Sequence, residues 1–243
     1  MNVAVVTGAS RGLGLVLAGE LSARGWSLVI DAREPGPLEA AARTLADASG
    51  AGAVVAVPGD VADPAHRRRL AAEAADLGGV DLLVNNASLL GASPLPPLTA
   101  YPIDILAQVY EVNTLAPLAL IAELIDQLLA SPDPRVLNVT SDAAVEAYPG
   151  WGGYGSSKAA LEHLSGVLAV EEPGLRIWAV DPGDLRTQMH QDAYPGEDIS
   201  NRPLPETAVP ALLALIEGPL PSGRYRAADL TVGAAAPDAG TRP

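Results

Sequence analysis

Several residue types that commonly build functional sites are absent or scarce in this chain of 243 residues. It contains no cysteine, which excludes a disulfide framework, a thiolate nucleophile and a zinc site built from thiolates. The formal charge of −14 at pH 7 disfavours a groove for nucleic acid. No run reaches about 18 uninterrupted apolar residues, so we expect no membrane-spanning segment. The N-terminus enters the run VAVV directly, without the regions of a signal peptide, and a cytoplasmic location is expected.

Basic residues and histidines are equally sparse. The run RRR at 67–69 lies within a helical pattern, and we interpret it as a solvated helix face. His66, His163 and His190 lack the spacing of metal ligands, so we interpret them as surface or packing residues. Lysine occurs once, at Lys158, among 15 basic residues that are otherwise arginine. This composition raises the question of what position 158 needs that a guanidinium cannot supply.

Short apolar runs alternate with amphipathic helical patterns along the chain. Continuous apolar runs are typical of strands that are buried on both faces of a parallel sheet. Predicted strands cover residues 3–7, 28–31, 53–57, 82–84, 135–140 and 177–180, with a last short strand at 225–230. Predicted helices follow the glycine-rich stretch at 7–14 and cover residues 38–48, 64–77, 103–130 (with breaks), 154–170 and 206–217. This order predicts an α/β fold: a Rossmann-like, doubly wound parallel sheet flanked by helices on both faces.

The sequence predicts one domain over residues 1–243, because no linker rich in Gly, Ser or Pro divides it and no internal repeat is present. Residues 184–205 follow the sixth strand at the edge where ligands bind in such sheets. This segment is long for a connection, so we expect it to act as a substrate lid. The tail at 231–243 lacks periodicity and is expected to be frayed.

The stretch TGASRGLG at residues 7–14 joins the first strand to the first helix. Gly8, Gly12 and Gly14 lack a Cβ atom, which permits a tight turn and the close approach of a pyrophosphate. The N-terminus of the following helix offers free N–H groups and a partial positive charge. A tight turn could use the same glycines for packing alone, but the strand before and the helix after favour dinucleotide binding.

The spacing T-G-x-x-x-G-x-G resembles the glycine turn of the short-chain dehydrogenase/reductase family, and the resemblance recurs along almost the whole chain. The further matching segments, in chain order, are GDV (59–61), NNAS (85–88), Asn113, Ser141, Tyr154-x-x-x-Lys158, and DPG (181–183) followed by Thr187. Each match alone is modest evidence, whereas the ordered set is specific.

The resemblance implies an NAD(P)-dependent oxidoreductase that acts on a small carbonyl or alcohol substrate, as a homodimer or homotetramer. The cofactor-binding residues that it implies are Gly8, Ser10, Arg11, Gly12, Leu13, Gly14, Arg33, Asp60, Val61, Asn86, Ala87, Tyr154, Lys158, Pro182, Gly183 and Thr187. For assembly, the helix that carries Tyr154 has a second apolar face, with Leu161, Leu164 and Leu168, that a core or a partner must cover.

The end of the second strand bears on which nicotinamide cofactor is expected. An acid there accepts a hydrogen bond from the ribose 2′-hydroxyl of NAD, whereas an arginine neutralises the 2′-phosphate of NADP. In the family pattern the NAD-selecting position holds Ala32, Asp31 lies one residue earlier and Arg33 follows. Arg11 is a second candidate for the phosphate. NADP(H) is therefore favoured, but NAD(H) stays open because a one-residue shift lets Asp31 reach the ribose.

Tyr154 and Lys158 lie one helical turn apart and therefore project from the same face. To exchange a proton near neutrality, a tyrosine of pKa about 10 must be acidified by roughly two to three pH units, and a nearby ammonium favours the phenolate. Lysine supplies a compact point charge, whereas guanidinium is a wide planar fork, and this is our hypothesis for the lone lysine.

The resemblance assigns roles to four residues. It implies that Tyr154 is the general acid/base and that Lys158 lowers its pKa and holds the nicotinamide ribose. Ser141 is implied to orient the substrate, and Asn113 to support a proton relay through a water. Alternatively, Asn113 satisfies buried backbone groups at a helix kink.

Apolar side chains on three segments are expected to enclose the substrate, although each could pack on the protein alone. They are Leu89, Leu90, Val145, Tyr148, Trp151, Leu185, Met189, Tyr194 and Ile199. Arg186, His190 and Arg202 are candidates to contact an anionic substrate. The alternative functions are a non-catalytic NADP-sensing protein and a sugar-nucleotide epimerase or dehydratase. The first could lose the Ser-Tyr-Lys set, which this chain keeps. The second resembles a longer chain.

Overall fold

The computed structural model describes residues 2–48 and 50–230. Within these ranges, seven parallel strands form one sheet in the order β3-β2-β1-β4-β5-β6-β7. The strands are β1 (Val3–Val6), β2 (Ser27–Ala32), β3 (Val54–Pro58), β4 (Leu82–Asn85), β5 (Arg135–Val139), β6 (Arg176–Asp181) and β7 (Gly223–Arg226). The predicted doubly wound α/β fold is confirmed, and the strand order reverses between β1 and β4.

Helices connect the strands and cover both faces of the sheet. They are α1 (Gly12–Ala23), α2 (Pro35–Ala46), α3 (Pro64–Asp76), α4 (Ile103–Tyr110), α5 (Ala116–Ala130), α6 (Gly152–Glu171), α7 (Gln188–Ala193) and α8 (Val209–Glu217). Start signals in the sequence explain some of these bounds. In α3, for example, Pro64 occupies the first turn and Asp63 accepts a hydrogen bond from the N–H of Ala65.

Side chains alternate across the sheet and build two cores. On one face, Val6 and Ile30 pack with Leu17 of α1 and Leu212 of α8. On the other face, the neighbouring strand residues pack against α3 and α5; this second core includes Val5, Val29, Leu70, Leu83, Leu120, Leu124 and Ile177. Because successive strand residues point to opposite faces, a run with no polar residue is needed to fill both cores.

Two segments near the C-terminus differ from the sequence prediction. The last strand is Gly223–Arg226 rather than 225–230, and Ala227–Asp229 form a 3₁₀ turn. The expected lid at 184–205 contains the short helix α7, which begins where the Thr187 hydroxyl accepts a hydrogen bond from the N–H of His190. A single capped turn of helix is too short to give a periodic signal. The tail at 231–243, expected to be frayed, lies outside the described residues.

The long helical stretch Ile103–Ala130 is apolar enough, by length and composition, to cross a membrane: its mean hydropathy reaches 1.4 over 18 residues. In this fold it belongs to the core instead. Leu120, Leu124 and Leu128 of α5 are buried against the sheet, and burial on that face accounts for their apolar character. The absence of a membrane partner stays a prediction.

The interpretation of residues 67–69 as a solvated face is wrong for one of the three arginines. Arg68 and Arg69 are exposed, but Arg67 is buried and its guanidinium donates a hydrogen bond to the carbonyl of Val61 at 2.6 Å. Arg67 therefore fixes the loop after β3, which the sequence pattern could not reveal.

Candidate active site

A cavity of about 990 Å³ opens at the carboxyl ends of the strands. Its wall is built from the residues that follow β1, β2, β3, β4, β5 and β6, together with the start of α1, the buried turn of α6 and the segment before and within α7. This is the edge and the point of strand reversal at which doubly wound sheets bind ligands.

Most of the predicted site residues share this one cavity. Those that line it are Gly8, Ser10, Arg11, Gly12, Leu13, Arg33, Asp60, Val61, Asn86, Ala87, Ser141, Tyr154, Lys158, Pro182, Gly183 and Thr187. Two predicted residues, Gly14 and Asn113, are not in its wall. Both act from behind the wall, through contacts with residues that do line it.

The three glycines of the turn are needed for different reasons. Gly8 and Gly12 have φ angles of +66° and +59°, in the left-handed region that favours glycine. Gly14 is an ordinary helical residue, but a Cβ there would lie 2.6 Å from the carbonyl oxygen of Gly8 and would also collide with the Asn86 carboxamide. Gly14 therefore serves the close packing of α1 on the glycine turn and on Asn86 after β4, and it does not line the cavity.

The NNAS segment clamps the glycine turn. The Asn86 carboxamide donates to the carbonyls of Thr7 and Gly8 at 2.9 and 3.1 Å. In the other direction, the Thr7 hydroxyl accepts from the N–H groups of Asn86 and Ala87, both at 3.0 Å. Two motifs about 79 residues apart in sequence are thus one unit in the fold.

The N-terminus of α1 fits the phosphates of a dinucleotide. The helix begins at Gly12, its first-turn N–H groups have no partner within the helix, and no acidic residue lies in that turn. Arg11 and Arg33 are exposed beside the cavity, and within residues 2–48 and 50–230 neither of them forms an ion pair. Free donors and two unpaired cations at one place match the charge and the hydrogen-bonding needs of phosphate groups.

Asp31 does not offer its carboxylate to a ribose in this structure. The residue is 1% exposed, one carboxylate oxygen accepts the N–H of Gly8 at 2.7 Å, and the other lies 2.9 Å from Nε2 of His66. Both oxygens therefore face the protein. Asp31 lines the cavity together with Ala32 and Arg33, but the open alternative that its carboxylate binds the ribose is not the observed arrangement.

Tyr154 and Lys158 are brought together on α6, as the spacing predicts. Tyr154 is 8% exposed and Lys158 is 1% exposed. The Lys158 ammonium lies 5.6 Å from the centroid of the Tyr154 ring and donates to the carbonyl of Val139 at 2.8 Å. Ser141 begins the 3₁₀ turn after β5, where its hydroxyl donates to the carboxylate of Asp142 at 3.0 Å and accepts from the N–H of Ala143.

Burial controls the protonation of this pair. It raises the pKa of Tyr154 to about 12, opposed by the Ser88 hydroxyl, and it lowers the pKa of Lys158 to about 7. The pKa of Tyr154 is therefore raised rather than lowered, and the Lys158 charge is not among the causes of its shift. Desolvation penalises the charged form of each group and is the largest cause of both shifts.

Asn113 lies in a turn of π-helix, Glu111–Leu115, which is the break between α4 and α5. Its carboxamide oxygen accepts from the N–H of Leu89 at 2.7 Å and from the Ser88 hydroxyl at 3.1 Å. Its amide donates to the carbonyl of Leu89 and to the hydroxyl of Ser157. These contacts match the alternative in which Asn113 satisfies buried polar groups. The proton relay stays a prediction.

Ser88 is a site residue that the sequence analysis missed. It lines the cavity, its hydroxyl donates to the carboxamide oxygen of Asn113, and it acts to lower the pKa of Tyr154. In the NNAS segment the resemblance implies cofactor contacts for Asn86 and Ala87 alone, so Ser88 is given no role by it. Asp142, which holds the Ser141 hydroxyl, was missed for a similar reason: an acidic residue after a strand carries no signal of its own.

Only part of the expected substrate wall is confirmed. Leu89, Leu90, Trp151, Leu185 and Met189 line the cavity. Val145, Tyr148, Tyr194 and Ile199 do not. Val145 is 59% exposed, and the Tyr148 hydroxyl is held by Asp142 and Glu146 at the surface. Tyr194 packs behind Trp151, with ring centroids 6.1 Å apart.

Of the three candidates for contacting an anionic substrate, two are poorly suited to that role. Arg202 is outside the cavity and lies 3.4 Å from the carboxylate of Asp184. His190 lines the cavity, but burial lowers its pKa, which favours the neutral ring. Arg186 is the remaining cation of the three, and it also lines the cavity. Within the described ranges, no group of His, Asp and Glu side chains is arranged to hold a metal ion.

With this geometry in place, comparison with known proteins defines the class. The family model for short chain dehydrogenases matches residues 2–198, so the chain belongs to the short chain dehydrogenase family. It is 34% identical over 193 residues to 2-(R)-hydroxypropyl-CoM dehydrogenase of Xanthobacter autotrophicus, covering 78% of this chain and 77% of that protein.

Two further relatives also match most of the chain. The chain is 35% identical over 196 residues to the rhamnolipids biosynthesis 3-oxoacyl-[acyl-carrier-protein] reductase of Pseudomonas aeruginosa, covering 77% of this chain and 74% of that protein. The solved structure of an alcohol dehydrogenase from Thermococcus sibiricus, complexed with 5-hydroxy-NADP, superposes with a TM-score of 0.83 at 28% identity and covers 93% of this chain and 95% of that one. Like these dehydrogenases and reductases, the protein is an oxidoreductase.

Proposed function

We propose that this protein is an NADP(H)-dependent oxidoreductase that interconverts a small carbonyl compound and its alcohol. The observation that carries the proposal is one continuous cavity with the glycine turn and two free arginines at one end and Ser141, Tyr154 and Lys158 at the other. The cofactor supplies the hydride chemistry. The chain supplies binding, orientation and a proton.

The preference for NADP(H) rests on charge at the end of β2. Arg33 and Arg11 are exposed and unpaired with any described acidic residue, so each is free to contact a phosphate. Asp31 is turned inward, which leaves no free carboxylate from β2 in this part of the wall. The solved relative from Thermococcus sibiricus, which was complexed with a derivative of NADP, is consistent with this choice.

Each catalytic side chain has one task. Tyr154 gives a proton to the carbonyl oxygen during reduction and takes it back during oxidation. Lys158 presents a compact donor at the buried end of the cavity, where it would hold the nicotinamide ribose. Ser141 orients the substrate oxygen, for which its hydroxyl must rotate away from Asp142, because the hydrogen points to that carboxylate in this structure.

Burial raises the pKa of Tyr154 to about 12, so the phenol carries the proton that a general acid needs when the carbonyl is reduced. In the reverse reaction the same oxygen takes a proton from the alcohol.

The wall of the substrate end favours an uncharged substrate with an apolar part. Leu90, Trp151 and Met189 contribute apolar surface beside Tyr154. His190 is favoured as a neutral ring, and Arg202 lies outside the cavity, so of the three cations once expected to contact an anion only Arg186 remains. No described contact supports the non-catalytic alternative over the enzyme.

The test is a screen of NADPH oxidation over a panel of aldehydes and ketones, run beside two tyrosine variants. Tyr154→Phe removes the proposed acid. Tyr148→Phe is the matched control, since this exposed tyrosine lies outside the cavity. We expect turnover in the native protein and in Tyr148→Phe, and a loss of at least about a hundredfold in Tyr154→Phe. Equal activity of all three proteins would contradict the assignment.

We also propose that the protein is a cytoplasmic homo-oligomer. The expected second apolar face is only partly available: Leu161 is buried in its own subunit. The apolar side chains that stay exposed on α5 and α6 include Leu129 at 47% and Val170 at 82%. Covering such side chains is favourable, so a dimer or tetramer is expected in sedimentation at micromolar concentration. A monomer under those conditions would contradict it.

A further inference from the structure

A buried pair of ionisable side chains lies beneath the end of β2, in a place that the reaction does not use. Asp31 is 1% exposed and His66 is fully buried. Nε2 of His66 lies 2.9 Å from one carboxylate oxygen of Asp31, and the N–H of Gly8 donates to the other at 2.7 Å. Burial raises the pKa of Asp31, and the hydrogen bonds from His66 and Gly8 oppose that effect.

The imidazole of His66 is fixed on its other side. A Cβ on Gly59 would lie 2.7 Å from the ring carbon Cε1, so the ring packs directly on the glycine. The Arg69 guanidinium lies 3.3 Å from Nδ1 and is within reach of the Pro58 carbonyl. Because a guanidinium can only donate, Nδ1 accepts, and Nε2 carries the hydrogen that is given to Asp31.

The position of Asp31 makes this contact consequential. It directly precedes Ala32 and Arg33, and all three residues line the same end of the cavity. A carboxylate released from its inward contacts would be a free acceptor and a negative charge at that end. Such a group attracts a ribose 2′-hydroxyl and repels a 2′-phosphate.

We propose that His66 is a specificity-determining positioning residue: by hydrogen-bonding Asp31 it holds that carboxylate inward, and so keeps the end of β2 selective for a 2′-phosphorylated dinucleotide. The inference rests on the proposed cofactor. It explains why Asp31, an acidic residue on the same strand, does not bind the ribose 2′-hydroxyl of the non-phosphorylated cofactor. Glycine is needed at position 59, because a Cβ there would collide with the imidazole of His66.

The test measures dissociation constants of NADPH and NADH for the full-length chain by fluorescence titration, which needs no substrate. His66→Leu releases Asp31, and we expect the preference for NADPH over NADH to fall by about tenfold or more, mainly through weaker NADPH binding. His66→Gln keeps a donor and should stay within about threefold of native. The double variant His66→Leu with Asp31→Asn removes the released charge and should restore most of the preference.

The outcomes separate the inference from the proposed function. If the native chain prefers NADH or binds neither cofactor, the proposed function fails and the inference fails with it. If the native chain prefers NADPH but His66→Leu weakens both cofactors equally, or the double variant does not recover, only the inference fails. If thermal unfolding shows that His66→Leu does not fold, His66→Asn replaces it, because its polar side chain is too short to reach Asp31. The preference for NADPH over NADH should then fall by the same factor. An unchanged preference would overturn the inference.

Discussion

Lys158 should make the ligand-free protein less stable than a variant that lacks its charge. The amine is 1% exposed, and burial lowers its pKa from 10.5 to about 7. Its described hydrogen bond is to the neutral carbonyl of Val139, so no carboxylate compensates for the charge. Replacing Lys158 with methionine keeps an unbranched side chain of similar length and removes the titrating group.

The size and the sign of the effect follow from the two pKa values. Because the pKa is lower in the folded chain, the unfolded chain binds more protons between about pH 7 and pH 10.5, and the stability of the native protein rises with pH across that window. A difference of about 3.5 pH units corresponds to a penalty of about 5 kcal/mol below the window. About 4 kcal/mol of it remains near pH 7, and about 1 kcal/mol near pH 9.5.

The variant also loses one hydrogen bond, from Lys158 to Val139 at 2.8 Å, which contributes about 1 kcal/mol. We therefore expect Lys158→Met to be more stable than the native protein by about 3 kcal/mol near pH 7, and by almost nothing near pH 9.5. Equilibrium unfolding in urea at the two pH values, without cofactor, measures both differences. Because other groups titrate equally in both proteins, they cancel in the comparison.

Ser156→Ala is the matched control, since Ser156 is exposed on the same helix and its described hydrogen bond is to the carbonyl of Gly153. Its effect on the free energy of unfolding should be the same at both pH values. If Lys158→Met is less stable than the native protein near pH 7, or if its advantage does not shrink with rising pH, then the lysine is not a desolvated cation and the reasoning is refuted.

Three further predictions concern the site. Lys158→Arg keeps the charge but places it on a wider group, which should displace the cofactor or the phenol. A displacement of about 1 Å should lower kcat/KM about a hundredfold, or by about 2.7 kcal/mol. Retention of more than about half the native rate would exclude the need for a compact charge. Arg33→Ala should weaken NADPH binding in titration by about 2 kcal/mol and leave NADH binding almost unchanged, whereas equal losses would show that Arg33 does not contact the 2′-phosphate. Gly14→Ala places a Cβ against the carbonyl of Gly8 and the Asn86 carboxamide. It should lower the free energy of unfolding in urea by about 1–3 kcal/mol. An unchanged free energy of unfolding would mean that the turn can widen without cost.

Features with a short-range pattern could be predicted from the sequence. The strands are continuous apolar runs and the glycine turn has a fixed spacing, so the fold and the cofactor end of the cavity followed from them. The one-turn spacing of Tyr154 and Lys158 likewise placed both on one wall. These features are local, and their physical cause lies within a few residues of sequence.

Features that depend on long-range packing could not be predicted. His66 and Asp31 are 35 residues apart, and nothing around either residue indicates that they meet in a buried pair. The pKa of Tyr154 depends mainly on burial, and burial follows from packing between distant segments that the sequence does not display. Val145 was expected in the wall and is exposed, because the direction of a side chain in an irregular loop leaves no periodic trace.

The central claim is that the chain moves hydride between a nicotinamide cofactor and a carbonyl carbon under the control of Tyr154. The most direct measurement uses NADPH carrying deuterium at both positions of nicotinamide C4, incubated with the native protein and an aldehyde or ketone from the screen. Mass spectrometry of the alcohol should show one deuterium per product molecule, bound to carbon, with product formation lost in Tyr154→Phe and kept in Tyr148→Phe. An alcohol without deuterium, or equal product from the Tyr154→Phe protein, would contradict the account.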